Sequence, residues 1–174
     1  MRTAMDGPAM TGGVTTAATA TGAVDGKVLL VTTQGGHLTQ LLALRAWWGA
    51  RERLWVAPGT PDVADRLAGE RVVASHWPTT RNLANLVRNL LLAVRVVTRE
   101  RPALVVSAGA GVAVPFFVVA WLLRIPTVFI EVYDRVDSAT VTGRLVGPFT
   151  TRRIVQWDQQ LDVYPDARLV GRLL

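Results

Sequence analysis

From Lys27 onward, short runs of mostly β-branched apolar residues alternate with longer stretches whose apolar positions recur every three or four residues. The runs Lys27–Thr33, Arg53–Ala57, Val72–Ser75, Ala103–Ser107, Thr127–Glu131 and Arg152–Gln156 read as buried parallel strands, with Ala167–Val170 as a short last one. Between them, Leu38–Trp48, Pro61–Ala68, Asn82–Glu100, Val112–Leu123 and Val141–Phe149 carry helical spacing. This alternation predicts an α/β fold, a single Rossmann-like domain with a parallel sheet over residues 27–174. Residues 1–26 are rich in Thr, Ala and Gly without periodicity and read as a disordered tail. They hold no basic stretch followed by a long apolar run, so no signal peptide is expected.

The uncharged stretch Ala103–Leu123 reaches the length of a membrane span. Ser107, Gly109, Gly111 and Pro115 divide it, however, and predict a strand, a glycine loop and a helix too short to cross a bilayer. Half of the 174 residues are hydrophobic, which allows a substantial core and leaves apolar surface for a partner or a membrane. The absence of cysteine excludes a disulfide scaffold, zinc ribbons and thiol catalysis, and two histidines, His37 and His76, exclude a histidine-rich metal site. The formal net charge is +6, and with Lys27 as the single lysine nearly all the positive charge is arginine. Such a surplus fits nucleic acid, anionic lipid or a phosphorylated substrate and does not choose among them.

Two glycine turns are placed where a ligand would sit. Thr33-Gln34-Gly35-Gly36-His37 joins the first strand to the first helix, and Ser107-Ala108-Gly109-Ala110-Gly111 follows the fourth strand. Glycines allow close backbone approach, and a helix start offers free N–H groups to an anion. With strand order 3-2-1-4, both turns would face the crevice where the chain reverses direction, making a phosphate or diphosphate the leading guest. The spacing is not GxGxxG and no acidic residue ends the second strand, which disfavours a dinucleotide cofactor. Glu131 leaves an apolar strand at the same edge, as a base, a sugar ligand, a helix cap or a salt-bridge partner of Arg135. His37 is a candidate base with an equally open reading as a loop histidine.

On the helix Asn82–Glu100, a turn of 100° per residue groups Arg81, Arg88, Arg95 and Arg99 on one stripe. Leu83, Leu86, Leu90, Val94 and Val97 lie opposite and are expected to pack on the sheet. Leu92 and Val96 fall beside the arginines, a mixture that suits contact with anionic lipid better than plain solvent. An ordinary amphipathic helix is the alternative. No helix-turn-helix or stacking platform accompanies the stripe, so no nucleic acid is expected.

Together the glycine turns and Val128-Phe129-Ile130-Glu131 resemble the acceptor half of two-domain GT-B glycosyltransferases of the MurG kind. The downstream series resembles more closely the membrane-anchoring subunit of the split UDP-N-acetylglucosamine transferase and its PssD-type relatives in bacterial exopolysaccharide synthesis. That series runs from Glu131-Val132-Tyr133-Asp134-Arg135-Val136 through Ser138–Gly143, Ile154-Val155-Gln156-Trp157 and Tyr164-Pro165 to Gly171-Arg172-Leu173-Leu174. The resemblance implies a subunit that binds a polyprenyl-diphosphate-linked sugar and works with a separate small donor-binding subunit as a heterodimer. The resemblance further implies that transfer inverts the anomeric configuration without a required metal or other cofactor. It assigns Gly35, Gly36, His37, Gly109, Ala110, Gly111 and Arg135 to the acceptor, with His37 or Glu131 catalytic. Arg81, Arg88, Leu92, Arg95 and Arg99, with Trp77 nearby, would dock peripherally on the cytoplasmic face of the membrane. Gln156, Trp157, Tyr164, Leu173 and Leu174 would meet the partner. Two other readings remain open, a non-catalytic membrane scaffold and a nucleotide-binding Rossmann protein.

Overall fold

The computed structural model describes residues 25–79 and 81–174; the expected tail lies almost wholly outside the described residues. Seven parallel strands form one sheet: β1 (Val28–Val31), β2 (Arg53–Pro58), β3 (Val72–Ser75), β4 (Leu104–Ser107), β5 (Thr127–Ile130), β6 (Arg152–Val155) and β7 (Arg168–Leu169). Their order is β3-β2-β1-β4-β5-β6-β7, so β1 and β4 are neighbours and the chain reverses direction between them. In register, Val31 pairs with Val56 on one side and Ser107 on the other, which brings the ends of β1 and β4 level. The predicted fold class is borne out, and Ala103–Leu123 divides as expected into β4, a loop and α5 (Ala113–Leu122). Among the described residues no helix is long and apolar enough to cross a membrane.

Strand alternation sends successive side chains into two cores. Val28, Leu30, Leu104, Val106 and Ile130 face α1 (Gly36–Ala43), α2 (Arg45–Trp48) and α3 (Pro61–Arg66) through Leu38, Leu41, Trp48 and Val63. Leu29, Val31, Val105 and Phe129 face α4 (Leu83–Glu100), α5 and α6 (Val141–Val146). The helix expected over Leu38–Trp48 breaks at Leu44. The Trp48 indole N–H takes the Leu41 carbonyl at 2.7 Å, an acceptor that a continuous helix would give to the Arg45 amide. A further short helix, α7 (Gln160–Val163), was not predicted.

The face of α4 is the main correction. Asn82 caps the helix by accepting from the Asn85 N–H at 2.9 Å, and Arg101 ends it in a left-handed conformation just before Pro102. The buried stripe is Asn85, Asn89, Ala93, Val96 and Val97. Leu83, expected on the sheet, is 73% exposed, and Leu86, Val87, Leu90, Leu91 and Val94 are exposed with it. Two asparagine amides take the inner side because they have partners there. Asn89 accepts from the His76 N–H and donates to the His76 carbonyl, both at 2.9 Å, and Asn85 donates to the Pro78 carbonyl at 3.0 Å. These bonds staple the segment after β3 onto the helix. Leu92 packs partly against the core rather than outward, and Arg81 precedes the helix at φ 51°, so the arginine stripe reduces to Arg88, Arg95 and Arg99.

Candidate functional site

The site lies at the carboxyl ends of β1 and β4, where the sheet changes direction. Beyond Val31, buried Thr32 and Thr33 lead into Gly35, whose φ of 73° costs glycine little. Gly35 offers the first amides of α1 no capping oxygen. His37 occupies the first helical turn, and its Nδ1 stands 2.9 Å from the Ala108 carbonyl oxygen. A carbonyl only accepts, so Nδ1 carries the proton and donates, leaving Nε2 as the acceptor of the neutral ring.

The loop after β4 is shaped to receive that ring. The Ser107 hydroxyl accepts from the Gly109 N–H at 3.1 Å, and Gly109 holds φ 118°. A β-carbon at Gly109 would approach the imidazole to 3.1 Å, so both dihedral and contact call for glycine. At Gly111 a β-carbon would reach 3.0 Å from the Thr79 carbonyl oxygen, which ties this loop to the segment stapled on α4. The two glycine turns therefore meet. His37, Gly109, Ala110 and Arg135 line one pocket of about 240 Å³ with Val132, Thr140, Val141 and Thr142. Gly35 and Gly36 form the exposed turn leading to His37, and Gly111 lies behind the loop.

Glu131 corrects an expectation. It is fully buried rather than open to a ligand. One carboxylate oxygen accepts from the Thr140 hydroxyl at 2.8 Å and the Val132 N–H at 3.2 Å; the other accepts from the Tyr164 hydroxyl at 2.6 Å. Gly143 packs against this cluster, where a β-carbon would overlap the carboxylate and stand 2.7 Å from the Tyr164 hydroxyl oxygen. Neither a base at the ligand nor a salt bridge to Arg135 fits that placement. Glu131 anchors both ends of the loop that carries Arg135. Sequence reasoning missed Thr140 and Tyr164 as its partners.

Burial, and next the Glu131 carboxylate, push the Tyr164 phenol above its ordinary value of 10.0. A folded-state value above the unfolded one means Tyr164 supports the fold fully below about pH 10, and this support fades as pH rises toward the folded value. The stability gap between wild type and Tyr164→Phe is therefore expected to stay constant up to about pH 10 and to narrow from about pH 10 to 11, as read by denaturant unfolding. A gap constant across that range would contradict the assignment.

The residues expected at a partner contact divide. Gln156 and Tyr164 are buried inside this chain, Trp157 and Leu173 are half-buried, and Leu174 is exposed. Beside them a recess of about 1000 Å³ opens along β4, β5 and β6, lined by Leu44, Trp47, Val106, Val128, Ile154 and Leu173 among others.

A parallel Rossmann-like layer with two glycine turns meeting at its switch point resembles in fold one half of a GT-B glycosyltransferase. MurG from Acinetobacter baumannii superposes with a TM-score of 0.64 at 18% identity, covering 76% of this chain and 42% of that one. The UDP-GlcNAc 2-epimerase of Methanocaldococcus jannaschii reaches 0.63 at 14% identity over 84% of this chain and 45% of its own, so the likeness at this level is one of fold. Residues 67–173 match the family described as oligosaccharide biosynthesis protein Alg14 like, and the chain belongs to that family. The human UDP-N-acetylglucosamine transferase subunit ALG14 is 28% identical over 115 residues, 63% of this chain and 52% of the relative. The chain spans about half the length of the curated relatives it matches.

Proposed function

We propose that this chain is the acceptor-binding subunit of a two-component GT-B glycosyltransferase. It holds a polyprenyl-diphosphate-linked sugar, and a separate donor-binding subunit brings the nucleotide sugar to the opposite side of the cleft. The observation that carries this reading is the meeting of the His37 turn and the Gly109 loop in one pocket with Arg135. Backbone amides and a guanidinium suit a pyrophosphate, and the Nε2 of a fixed imidazole suits removal of a proton from an acceptor hydroxyl. Attack by that hydroxyl on the anomeric carbon, with departure of the nucleotide diphosphate, would invert the configuration. The product would be a lipid-linked oligosaccharide or a bacterial exopolysaccharide precursor.

The outer face of α4 supports membrane docking. Leu83, Val87, Leu91 and Val94 are exposed together on α4, Arg88, Arg95 and Arg99 flank them, and Trp121 and Leu122 are exposed on α5. Apolar side chains would enter the headgroup layer while each arginine contributes about 1 kcal/mol against an anionic surface. Val87→Asp with Leu91→Asp is expected to abolish sedimentation with phosphatidylglycerol-containing vesicles, and reversing Arg88 and Arg95 to Glu to make residual binding vanish at moderate salt. Unchanged sedimentation of both variants would refute the docking face. The recess beside Leu173 and Leu174 is the proposed seat of the donor-binding subunit, in keeping with its apolar lining.

The test is reconstitution. The chain and a candidate donor-binding subunit, mixed with a radiolabelled UDP-sugar and a polyprenyl-diphosphate-linked acceptor, are expected to give labelled lipid only when both proteins are present. Full transfer by the donor-binding subunit alone would reject an acceptor-binding role.

A further inference from the structure

Three glutamines are buried near the pocket, and their amides form one connected set: Gln40 on α1, Gln156 after β6 and Gln160 on α7. Gln156 stands at the centre, 2% exposed. Its side-chain NH₂ donates to the Gln40 side-chain oxygen at 2.7 Å and to the Glu131 carbonyl at 2.9 Å. Its side-chain oxygen accepts from the Leu173 N–H at 3.0 Å. Its own backbone N–H donates to the Gln160 side-chain oxygen at 2.9 Å, and the Gln160 NH₂ donates to the Arg135 carbonyl. Both donor hydrogens of the Gln156 amide are used and its oxygen is engaged, so the group has one orientation.

The segments joined here are those that matter to the pocket. Gln40 lies one helical turn beyond His37 on α1. Glu131 heads the loop carrying Arg135, and Leu173 belongs to the C-terminal segment that borders the recess. We propose that Gln156 is a positioning residue that locks the His37 turn and the Arg135 loop to the backbone of the C-terminal segment. A subunit seated on that segment would thereby set the geometry of the acceptor pocket. This inference rests on the pocket being the acceptor site, and it goes beyond that reading by giving the pocket a mechanical link to the partner seat.

A residue that only filled space could be replaced by one of equal volume without effect on the pocket. Gln156→Leu keeps the volume and removes all three side-chain hydrogen bonds. Gln156→Glu keeps the acceptor for Leu173 but sets a carboxylate against the Glu131 carbonyl. The full chain, labelled with ¹⁵N, is examined by imidazole resonances of His37 and by titration with inorganic pyrophosphate. His76, which lies outside this set of bonds, serves as the internal control. Both variants are expected to move the His37 ring resonances while leaving those of His76 in place, and to weaken pyrophosphate binding about tenfold. Gln156→Asn, which retains the amide chemistry on a shorter arm, is expected to fall between wild type and Gln156→Leu. His37 resonances superposing on wild type in whichever of the Leu and Glu variants folds would overturn the proposal. Should wild type fail to bind pyrophosphate, the acceptor reading falls, and the His37 resonances still decide whether Gln156 positions the ring.

Discussion

Replacing His37 by alanine is expected to lower turnover of the reconstituted transferase by two to four orders of magnitude, roughly the contribution of a general base. The ring is held by its Nδ1 bond to the Ala108 carbonyl, so Nε2 is presented with its lone pair free in the neutral form. An alanine there removes the proton acceptor and leaves α1 in place, because the leucines that anchor the helix, Leu38 and Leu41, are untouched. The unfolding midpoint should therefore stay close to that of wild type while single-turnover transfer collapses. Gly109→Val offers a check on the same geometry, since its side chain would press on the imidazole from a backbone conformation hostile to β-branched residues. Turnover of His37→Ala within threefold of wild type would show that the proton leaves by another route.

Glu131→Ala is expected to act on the fold and on the pocket through it. The substitution strands the Tyr164 and Thr140 hydroxyls, each formerly donating to the carboxylate, and leaves a void under the loop. Buried donors left unpaired cost about 1–3 kcal/mol each, so a loss of about 3 kcal/mol is expected. For a domain of this size that lowers the unfolding midpoint by roughly 6–12 °C. Glu131→Gln, which keeps an acceptor but must place its NH₂ beside one of the hydroxyls, should lose less. Calorimetry of the two variants separates this anchor from a catalytic base: a base would lose turnover in Glu131→Gln with no loss of stability.

Much of the framework was legible because buried parallel strands need continuous apolar runs, and β1, β2, β4 and β5 have them. The order 3-2-1-4, taken as that of a doubly wound sheet, holds in the structure, and with it the two turns meet, His37 against Gly109. What escaped depended on partners distant in sequence. Glu131 finds Tyr164 across 33 positions, and Gln40 finds Gln156 across 116, separations that no local pattern reports. On α4 the period was read correctly and the side wrongly. The apolar stripe with the most leucine faces outward, while the inner stripe of Asn85, Asn89 and Ala93 is set by the neighbouring segment, whose backbone needs those amides. The break at Leu44 likewise waits on an indole seven residues from the carbonyl it takes.

Because α4 seats itself through Asn85, Asn89, Ala93, Val96 and Val97, its outward leucines contribute little to holding the domain together. Stickiness and foldedness are thereby separable traits in this helix. Selection, or an engineer seeking a detergent-free preparation, can exchange Leu83 or Leu91 for polar residues and retune adhesion without eroding thermal resistance.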